Sequence, residues 1–238
     1  MGGLPSFTHV GRDRRVQISR KINALAPEAI AAEASRVGAW LVHYSTDYVF
    51  DGSGERPWRE EDATGPQGVY GASKLAGEAA VLAACPNAAV LRTAWVYSPF
   101  GANFVRAMLR LAGPRNEVGV VADQFGNPTS ALDIADGVLA VAANLAGSSD
   151  RALRGTFHMA GAGDCSWAEF AEAIFAESAA LGGPAASVRH ITTAEYPTPA
   201  RRPANSRLDC ARLARVHGVR LRSWREALPE VIARLLAE

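Results

Sequence analysis

The chain of 238 residues carries a formal net charge of +1, and 48% of its residues are apolar and 21% charged. These fractions are ordinary for a soluble globular protein. A nearly neutral chain has no overall field that would draw it to nucleic acid or anionic lipid, so neither is expected as a partner. The length fits one large α/β domain or two small ones and is enough for a sizeable core.

The cysteine content and the hydropathy both indicate a reducing compartment of the cell. Cys85, Cys165 and Cys210 form no C-x-x-C pair and are odd in number, which favours free thiols in a reducing environment. No apolar stretch approaches the roughly 20 residues that span a bilayer, and the N-terminus has no apolar run suited to a signal peptide. We therefore expect a cytoplasmic protein without a membrane partner.

Helices and strands are predicted to alternate from Ile22 onward. Residues 1–21 show neither helical nor strand periodicity, so we assign them no element and expect an irregular segment. Helices are predicted at residues 23–38, 69–84, 103–112, 131–146 and from Ser166, where "SWAE" is a capping box, with two short ones near the end. Strands are predicted at residues 39–45, 88–97, 117–123, 155–160 and 187–191. Such alternation predicts an α/β fold with a mainly parallel sheet.

Polar side chains follow two of these strands. Ser45, Thr46, Asp47 and Tyr48 come at the end of the first, and Trp95 follows the next after "LRTA". In open α/β sheets ligands bind beyond the carboxyl ends of strands. These residues are therefore candidates for a binding site.

A tyrosine and a lysine lie one helical turn apart in "YGASKLAGE". Tyr70 and Lys74 are at positions i and i+4, so both project from one face of a helix. A nearby ammonium lowers the pKa of a phenol, which suits acid–base catalysis, and the hydroxyl of Thr46 would stabilise charge developing on a carbonyl oxygen. The chain has 23 Arg and only two Lys, Lys21 and Lys74, so a lysine inside a helix is notable. Together the three side chains suit hydride addition to a ketone.

Six segments, in order, resemble the dTDP-4-dehydrorhamnose reductases, which are extended short-chain dehydrogenases/reductases. The segments are "STDYVFDG", "YGASKLAGE", "LRTAWVYSPFGANFV", "DQFGNPTSALDIA", "GTFHMAGAGDCSWAEFA" and "RRPANSRLD". The resemblance covers roughly residues 22–238. Its first and fourth segments are more specific marks of the family than the Y-x-x-x-K pattern alone.

The resemblance implies a role for each candidate side chain. Tyr70 would be the proton donor, Lys74 would hold the nicotinamide ribose and tune Tyr70, and Thr46 would assist at the sugar carbonyl. Asp47, Tyr48 and Trp95 would bind the sugar nucleotide. The implied reaction is reduction of the 4-keto group of dTDP-4-dehydro-L-rhamnose to dTDP-L-rhamnose by NADPH, with NADH as the alternative cofactor. Some family members also bind Mg²⁺, and a homodimer is a candidate assembly.

The family implies a Rossmann-like doubly wound parallel sheet, here expected to be truncated on its N-terminal side. We expect residues 22–158 to form the remaining dinucleotide-binding domain, and residues 159–238 to form a smaller substrate-binding part interleaved with it. The family carries a glycine-rich turn near its N-terminus, and this sequence has no G-x-G-x-x-G there. The nearest pattern, "GAGDCS" at residues 161–166, is better explained by capping at Ser166.

The missing glycine-rich turn leaves three interpretations open. The chain is a nucleotide-sugar ketone reductase whose activity the truncation puts in doubt, a non-catalytic nucleotide- or partner-binding protein on the same fold, or another reductase or epimerase of the superfamily. Truncation would also leave the strand at residues 40–45 with one unpaired side, so we expect poor solubility or self-association through that edge. A loop with Arg201, Arg202 and Arg207 would either clamp a diphosphate or be solvated.

Overall fold

The N-terminal part of the chain is helical. The computed structural model describes residues 7–197 and 202–237, with side chains from residue 14 onward. Helix α1 (Phe7–Arg20) continues through a π-helical turn (Lys21–Leu25) into α2 (Ala26–Arg36). The prediction of an irregular segment over residues 1–21 is therefore wrong from Phe7 onward, and residues 1–6 lie outside the described ranges.

This N-terminal helical segment is held by tertiary packing. The Asn23 amide donates to Ser73 Oγ over 3.0 Å. A Cβ atom added at Gly77 would lie 2.0 Å from the Asn23 carbonyl oxygen, so a glycine is required for this close approach. The helix containing Ser73 and Gly77 is thus the surface on which the π-helical turn rests. This packing holds the π-helical turn, whereas the side chains described in α1, residues 14–20, are exposed except for the half-buried Ser19.

The other elements follow the predicted order. The remaining helices are α3 (Val69–Ala84), α4 (Phe104–Ala112), α5 (Ala131–Gly147), α6 (Trp167–Ala180), α7 (Ala211–His217) and α8 (Trp224–Leu236). The longer strands are β1 (Leu41–Thr46), β2 (Ala88–Thr93), β4 (Glu117–Val121), β7 (Gly155–His158) and β9 (Ser187–Ile191). The two-residue strands are β3 (Val96–Tyr97), β5 (Phe125–Gly126), β6 (Thr129–Ser130), β8 (Cys165–Ser166) and β10 (Asn205–Ser206).

A three-stranded parallel sheet in the order β1-β2-β7 forms the centre of the molecule and confirms the predicted α/β class. Thr46 lies beside Thr93 at the carboxyl end, and Leu91 lies between Tyr44 and Phe157. Within the described ranges β1 pairs with β2 only. The Leu41 N–H donates to a carbonyl that precedes β2, and backbone groups alternate in direction along a strand. The backbone groups of Tyr44 therefore point away from β2.

Both faces of this sheet are covered. On one face, α3 packs Val81 and Cys85 against Val90 of β2. On the other, α5 and α7 pack against Leu91 and Phe157. The active-site candidates on α3 therefore sit on a helix that is fixed to the sheet along its length.

The C-terminal part adds short strands that pair with earlier ones. β4 pairs with β9 in parallel, and a second small sheet has the order β10-β5-β8. The hydrophobic core of this C-terminal part is formed by α4, α6 and α8, which pack around Tyr97, Phe170 and Trp224. Strands from before and after residue 159 are thus partners, and the division into residues 22–158 and 159–238 stays a prediction.

Two local predictions have clear outcomes. The capping box at the start of α6 is confirmed: Ser166 Oγ accepts from the Glu169 N–H over 3.2 Å, and the Glu169 carboxylate accepts from the Ser166 N–H over 2.6 Å. The strand predicted at residues 88–97 is interrupted, because Trp95 has a positive φ of 45°. Among the described residues, no helix has the length and apolar character needed to cross a membrane.

Candidate active site

The chain turns sharply where β1 ends. Asp47–Val49 form a single 3-10 turn whose N-cap is Thr46, and Thr46 Oγ1 accepts from the Tyr48 N–H over 3.3 Å. The same hydroxyl donates to Asp47 Oδ1 over 3.0 Å. Thr46 and Asp47 are each 5% exposed. The predicted strand-end cluster is therefore a buried, hydrogen-bonded turn at the carboxyl edge of the sheet.

Asp47 supplies the carboxyl group of this turn, and its pKa is strongly perturbed. Burial raises its pKa to about 6, while hydrogen bonds with Ser206, Thr46 and the backbone act in the opposite direction. A carboxyl group with this pKa changes charge just below neutral pH. Perturbed groups of this kind are frequent at functional sites.

Helix α3 brings Tyr70 to this turn. A Cβ atom at Gly71 would lie 2.1 Å from the Tyr48 carbonyl oxygen, so the glycine of "YGASK" lets the helix start against the 3-10 turn. The Thr46 side chain acts on the Tyr70 hydroxyl and favours its ionised form. Its ring lies edge-on to the Tyr48 ring with centroids 5.9 Å apart. The structure therefore brings together Thr46, Asp47, Tyr48 and Tyr70.

The pKa of Tyr70 lies above its ordinary value. Partial burial is the main cause, the charge of Asp47 adds to it, and the hydrogen bond with Thr46 opposes it. Lys74 is not among these causes, in contrast to the expected lowering by a neighbouring ammonium. The Lys74 ammonium donates to the Tyr44 carbonyl oxygen on the unpaired side of β1. Burial lowers the pKa of Lys74, and the charge of Glu78 opposes this.

Trp95 lies beyond the end of β2 on an aromatic platform. Its ring stacks on Trp167 with centroids 3.5 Å apart and planes 9° from parallel. Its carbonyl oxygen accepts from the Thr129 N–H over 3.1 Å. A Cβ atom at Gly126 would lie 2.4 Å from the Trp95 ring, which explains the glycine of "DQFGNPT".

Ser206 connects Trp95 to the strand-end turn, and the sequence analysis did not single it out. Ser206 of β10 pairs with Gly126, which packs under Trp95, and its side chain acts on Asp47, lowering the pKa of that carboxyl group against the effect of burial. The segment "RRPANSRLD" carries part of the family resemblance and three arginines of a possible clamp, and neither pattern marks Ser206. No local pattern marks a serine whose partner lies far away in the sequence.

A cleft of about 400 Å³ opens beside the site. It is lined by Arg202, Asp51, Asp123 and neighbouring small residues, and the charge of Arg202 acts on Tyr48. Arg207 is instead engaged in the fold: its guanidinium donates to the Asn205 side chain over 2.9 Å and to a backbone carbonyl over 2.6 Å. A clamp that includes Arg207 is therefore not formed, and Arg201 lies outside the described residues.

The first two N–H groups of the "GAGDCS" segment already have acceptors. The Gly161 N–H donates to Thr129 Oγ1 over 3.1 Å, and the Ala162 N–H donates to a backbone carbonyl over 3.0 Å. With Ser166 used as a helix cap, capping explains this segment as predicted. Across the part of the chain whose side chains are described, no three His, Cys, Asp or Glu side chains gather in a way that could hold a metal ion.

The chain matches a family model over most of its length. The model of the RmlD substrate binding domain matches residues 12–237. The match thus begins before residue 22, where the sequence analysis placed the start of the resemblance, and includes part of the N-terminal helical segment.

Several similar relatives and solved structures are dTDP-4-dehydrorhamnose reductases. The dTDP-4-dehydrorhamnose reductase of Sinorhizobium fredii is 50% identical over 91% of this chain and 73% of its own length, and that of Escherichia coli K12 is 42% identical over 92% and 73%. The crystal structure of a dTDP-4-dehydrorhamnose reductase from Clostridium acetobutylicum superposes with a TM-score of 0.86 at 41% identity, over 94% of this chain and 76% of that one.

A second enzyme of that name, from Bacillus anthracis and in complex with NADP, superposes with a TM-score of 0.83 at 34% identity, over 92% of this chain and 74% of that one. The strand-end turn, the Tyr/Lys helix and the tryptophan after β2 thus occur in a chain whose sequence and fold both lead to the same enzymes. This chain belongs to the dTDP-4-dehydrorhamnose reductase family.

Proposed function

We propose that this protein reduces the 4-keto group of dTDP-4-dehydro-L-rhamnose to give dTDP-L-rhamnose, with NADPH as the hydride source. The observation that carries the proposal is the position of Tyr70 against the strand-end turn, where the Thr46 side chain acts on its hydroxyl and the Tyr48 ring lies edge-on to its ring. Two neighbouring hydroxyl groups can bind one carbonyl oxygen, as reduction of a ketone requires. The relatives with this name support the choice of substrate.

Tyr70 is the proposed proton donor. Its raised pKa keeps the phenol protonated at neutral pH, which is the form that can donate. Thr46 would donate a hydrogen bond to the sugar oxygen as negative charge develops there. Lys74 is proposed to bind the ribose of the cofactor and to stabilise the phenolate that remains after proton transfer.

Asp47, Tyr48 and Trp95 are proposed to bind the sugar nucleotide. Asp47 offers carboxylate oxygens at the end of β1, and Tyr48 stands edge-on to Tyr70. Trp95 offers an aromatic face that is fixed by Trp167. Ser206 would orient Asp47, so the C-terminal part would take part in substrate binding, as the division into residues 22–158 and 159–238 proposes.

The side chains at the sheet edge fit the nicotinamide end of such a cofactor. Tyr70 is 49% exposed, and Lys74 lies one helical turn away. The glycines at residues 161–163 do not fit a pyrophosphate, because the N–H groups of Gly161 and Ala162 already have acceptors. A bound nicotinamide cofactor supplies the hydride.

The first test is cofactor binding. NADPH and NADH are titrated into the protein while nicotinamide fluorescence is followed. Saturable binding, tighter for NADPH, is the expected result. Failure of both nucleotides to bind would instead favour a non-catalytic binding protein on the same fold.

The second test replaces the proposed proton donor. Tyr70→Phe should lower the turnover of dTDP-4-dehydro-L-rhamnose by a factor of about 10² to 10⁴, because the positioned acid is lost while the ring is kept. Cofactor binding should change little. Tyr196→Phe, which changes an exposed tyrosine outside the cluster, is the matched control. Equal loss of turnover and cofactor binding in Tyr70→Phe would contradict the assigned role.

A further inference from the structure

A buried ion pair lies between the Tyr70/Lys74 helix and the sheet. Glu78 on α3 accepts from both Nε and Nη2 of Arg92 on β2, at 2.9 and 2.7 Å. The two residues are 3% and 5% exposed. Two parallel N–H···O bonds fix the relative orientation of both side chains, so the pair sets how α3 lies on β2.

Arg92 is itself firmly placed. It occupies the central strand, with Ser45 of β1 on one side and His158 of β7 on the other. Its guanidinium carbon lies 5.1 Å from the centroid of the Phe50 ring, a cation–π contact. The anchor to which Glu78 is attached therefore cannot move without disturbing the sheet.

Glu78 lies one helical turn after Lys74, on the same face of α3. Its charge raises the pKa of Lys74 against the opposing effect of burial. From β1, the Tyr44 carbonyl oxygen and His43 also face the ammonium. Burial lowers the pKa of His43 to about 4, so this imidazole is neutral at neutral pH. Glu78 is thus the negative charge that faces Lys74 from its own helix, and Arg92 of β2 holds it there.

We propose that Glu78 is a positioning residue of the active site. Its carboxylate, which Arg92 fixes, holds helix α3 in one position on the sheet and balances the charge of the Lys74 ammonium. The inference rests on the proposed role of Lys74. It extends that role by naming the negative charge that faces a half-buried ammonium where a ribose and a phenol would need it.

Stability alone does not account for this ion pair. Replacing a buried ion pair by apolar residues of similar volume is often neutral or stabilising. The same interface already contains such packing a turn further along α3, where Val81 meets Val90. An ion pair at the position nearest Lys74 therefore points to a role in the chemistry of the site.

The test uses the scarcity of lysine in this chain. Protein labelled with ¹³C at lysine Cε gives signals from Lys21 and Lys74 only, and the pH titration of each reports its own pKa. In the wild type, Lys74 should titrate below the ordinary range of a lysine side chain. In Glu78→Gln, Lys74 should titrate lower still, and the Lys21 signal serves as the internal reference. Glu33→Gln, which changes an exposed carboxylate on α2, is the matched control and should leave both titrations unchanged.

A double variant separates charge from structure. In Glu78→Leu/Arg92→Met both charges are replaced by apolar groups, so the fold should be retained even if Glu78→Gln is unstable. Lys74 should still titrate below its wild-type midpoint. A wild-type midpoint in either variant would overturn the proposal. The titration does not depend on turnover, so an inactive wild type would contradict the proposed reaction without affecting this result.

Discussion

Strand β1 has two sides that differ in how the molecule completes them. On the inner side it pairs with β2 along its whole length, and beyond β2 lie β7 and two packed layers of helices. On the outer side the described residues provide no strand, and Trp40, Tyr44 and Leu25 are 42%, 45% and 46% exposed. The site lies where the two sides meet, because Thr46 ends the strand and the Lys74 ammonium binds an outward-pointing carbonyl.

The buried groups on the inner side of β1 are held by the fold, whereas the exposed groups on its outer side can change their contacts with the surroundings. The inner side holds buried polar groups, Arg92 and His158 among them, that packing keeps in one arrangement. The outer side presents apolar side chains and backbone groups, of which the Tyr44 carbonyl has a side-chain partner. Acid should therefore disturb the inner side, and added surface charge should affect only the outer side.

The largest expected effect is acid destabilisation through the inner side. His158 is fully buried, and burial, with help from Arg92, lowers its pKa to about 3. The unfolded chain takes up this proton below about pH 6.5 and the folded chain does not, so the free energy of unfolding falls as the pH drops from 6.5. The loss should reach about 3 kcal/mol at pH 4.

Urea denaturation across this pH range measures the effect. His158→Gln should give a flatter dependence of the free energy of unfolding on pH than the wild type. His190→Gln, at an exposed histidine of β9, is the control and should follow the wild type. Equal slopes for wild type and His158→Gln would show that this imidazole does not remain neutral in the fold.

A smaller effect is expected at the junction of the site with the C-terminal part. Gly126→Ala would place a Cβ atom 2.4 Å from the Trp95 ring, so the stacked tryptophans must shift. Overpacking of this kind costs about 1 to 3 kcal/mol of stability. Affinity for dTDP, measured by calorimetry, should fall as well.

The control for this substitution is a glycine with room around it. Gly147 ends α5, and a Cβ atom there would meet nothing within 4 Å. Gly147→Ala should therefore leave both stability and nucleotide affinity close to wild type. If Gly126→Ala behaved in the same way, the fit under Trp95 would not hold its ring in place.

The smallest change in stability, and a test of the outer side, is expected from surface charge. We expect the wild type to self-associate through the exposed edge and the neighbouring helix face. Ile22→Lys and Leu25→Lys should reduce the sedimentation coefficient at high concentration while changing the free energy of unfolding by less than about 0.5 kcal/mol. Leu139→Lys, at an exposed position on α5, should leave association unchanged. A wild type that stays monomeric at all concentrations would contradict this expectation.

The sequence predicted the elements whose limits are set locally. Helix α3 begins and ends where expected, at Val69 and Ala84, because a loop rich in Gly and Pro precedes it and Pro86 follows it. Helix α1 was missed because Gly11 and a run of charged residues give no apolar period. The break at Trp95 was missed because positive φ usually selects glycine, and no glycine is present there.

The sequence predicted which residues form the candidate site better than it predicted the contacts between them. Thr46 and Tyr70 could be paired from strand-end and helix spacing. Ser206 and Arg92 could not, because each reaches its partner through the tertiary fold and no short-range spacing encodes such a contact. The Lys74 ammonium was expected to act on Tyr70, whereas the structure gives it a backbone acceptor on β1.

The left-handed backbone at Trp95 has a thermodynamic consequence for association. A non-glycine residue in this conformation costs about 1 to 2 kcal/mol, and it persists because Trp167, Gly126 and Thr129 determine its surroundings. The folding of the protein already includes this conformational free energy before a ligand binds. A ligand that packs on this ring therefore meets a preorganised surface and does not lose the roughly 0.5 to 1.5 kcal/mol of entropy that immobilising a free side chain would require.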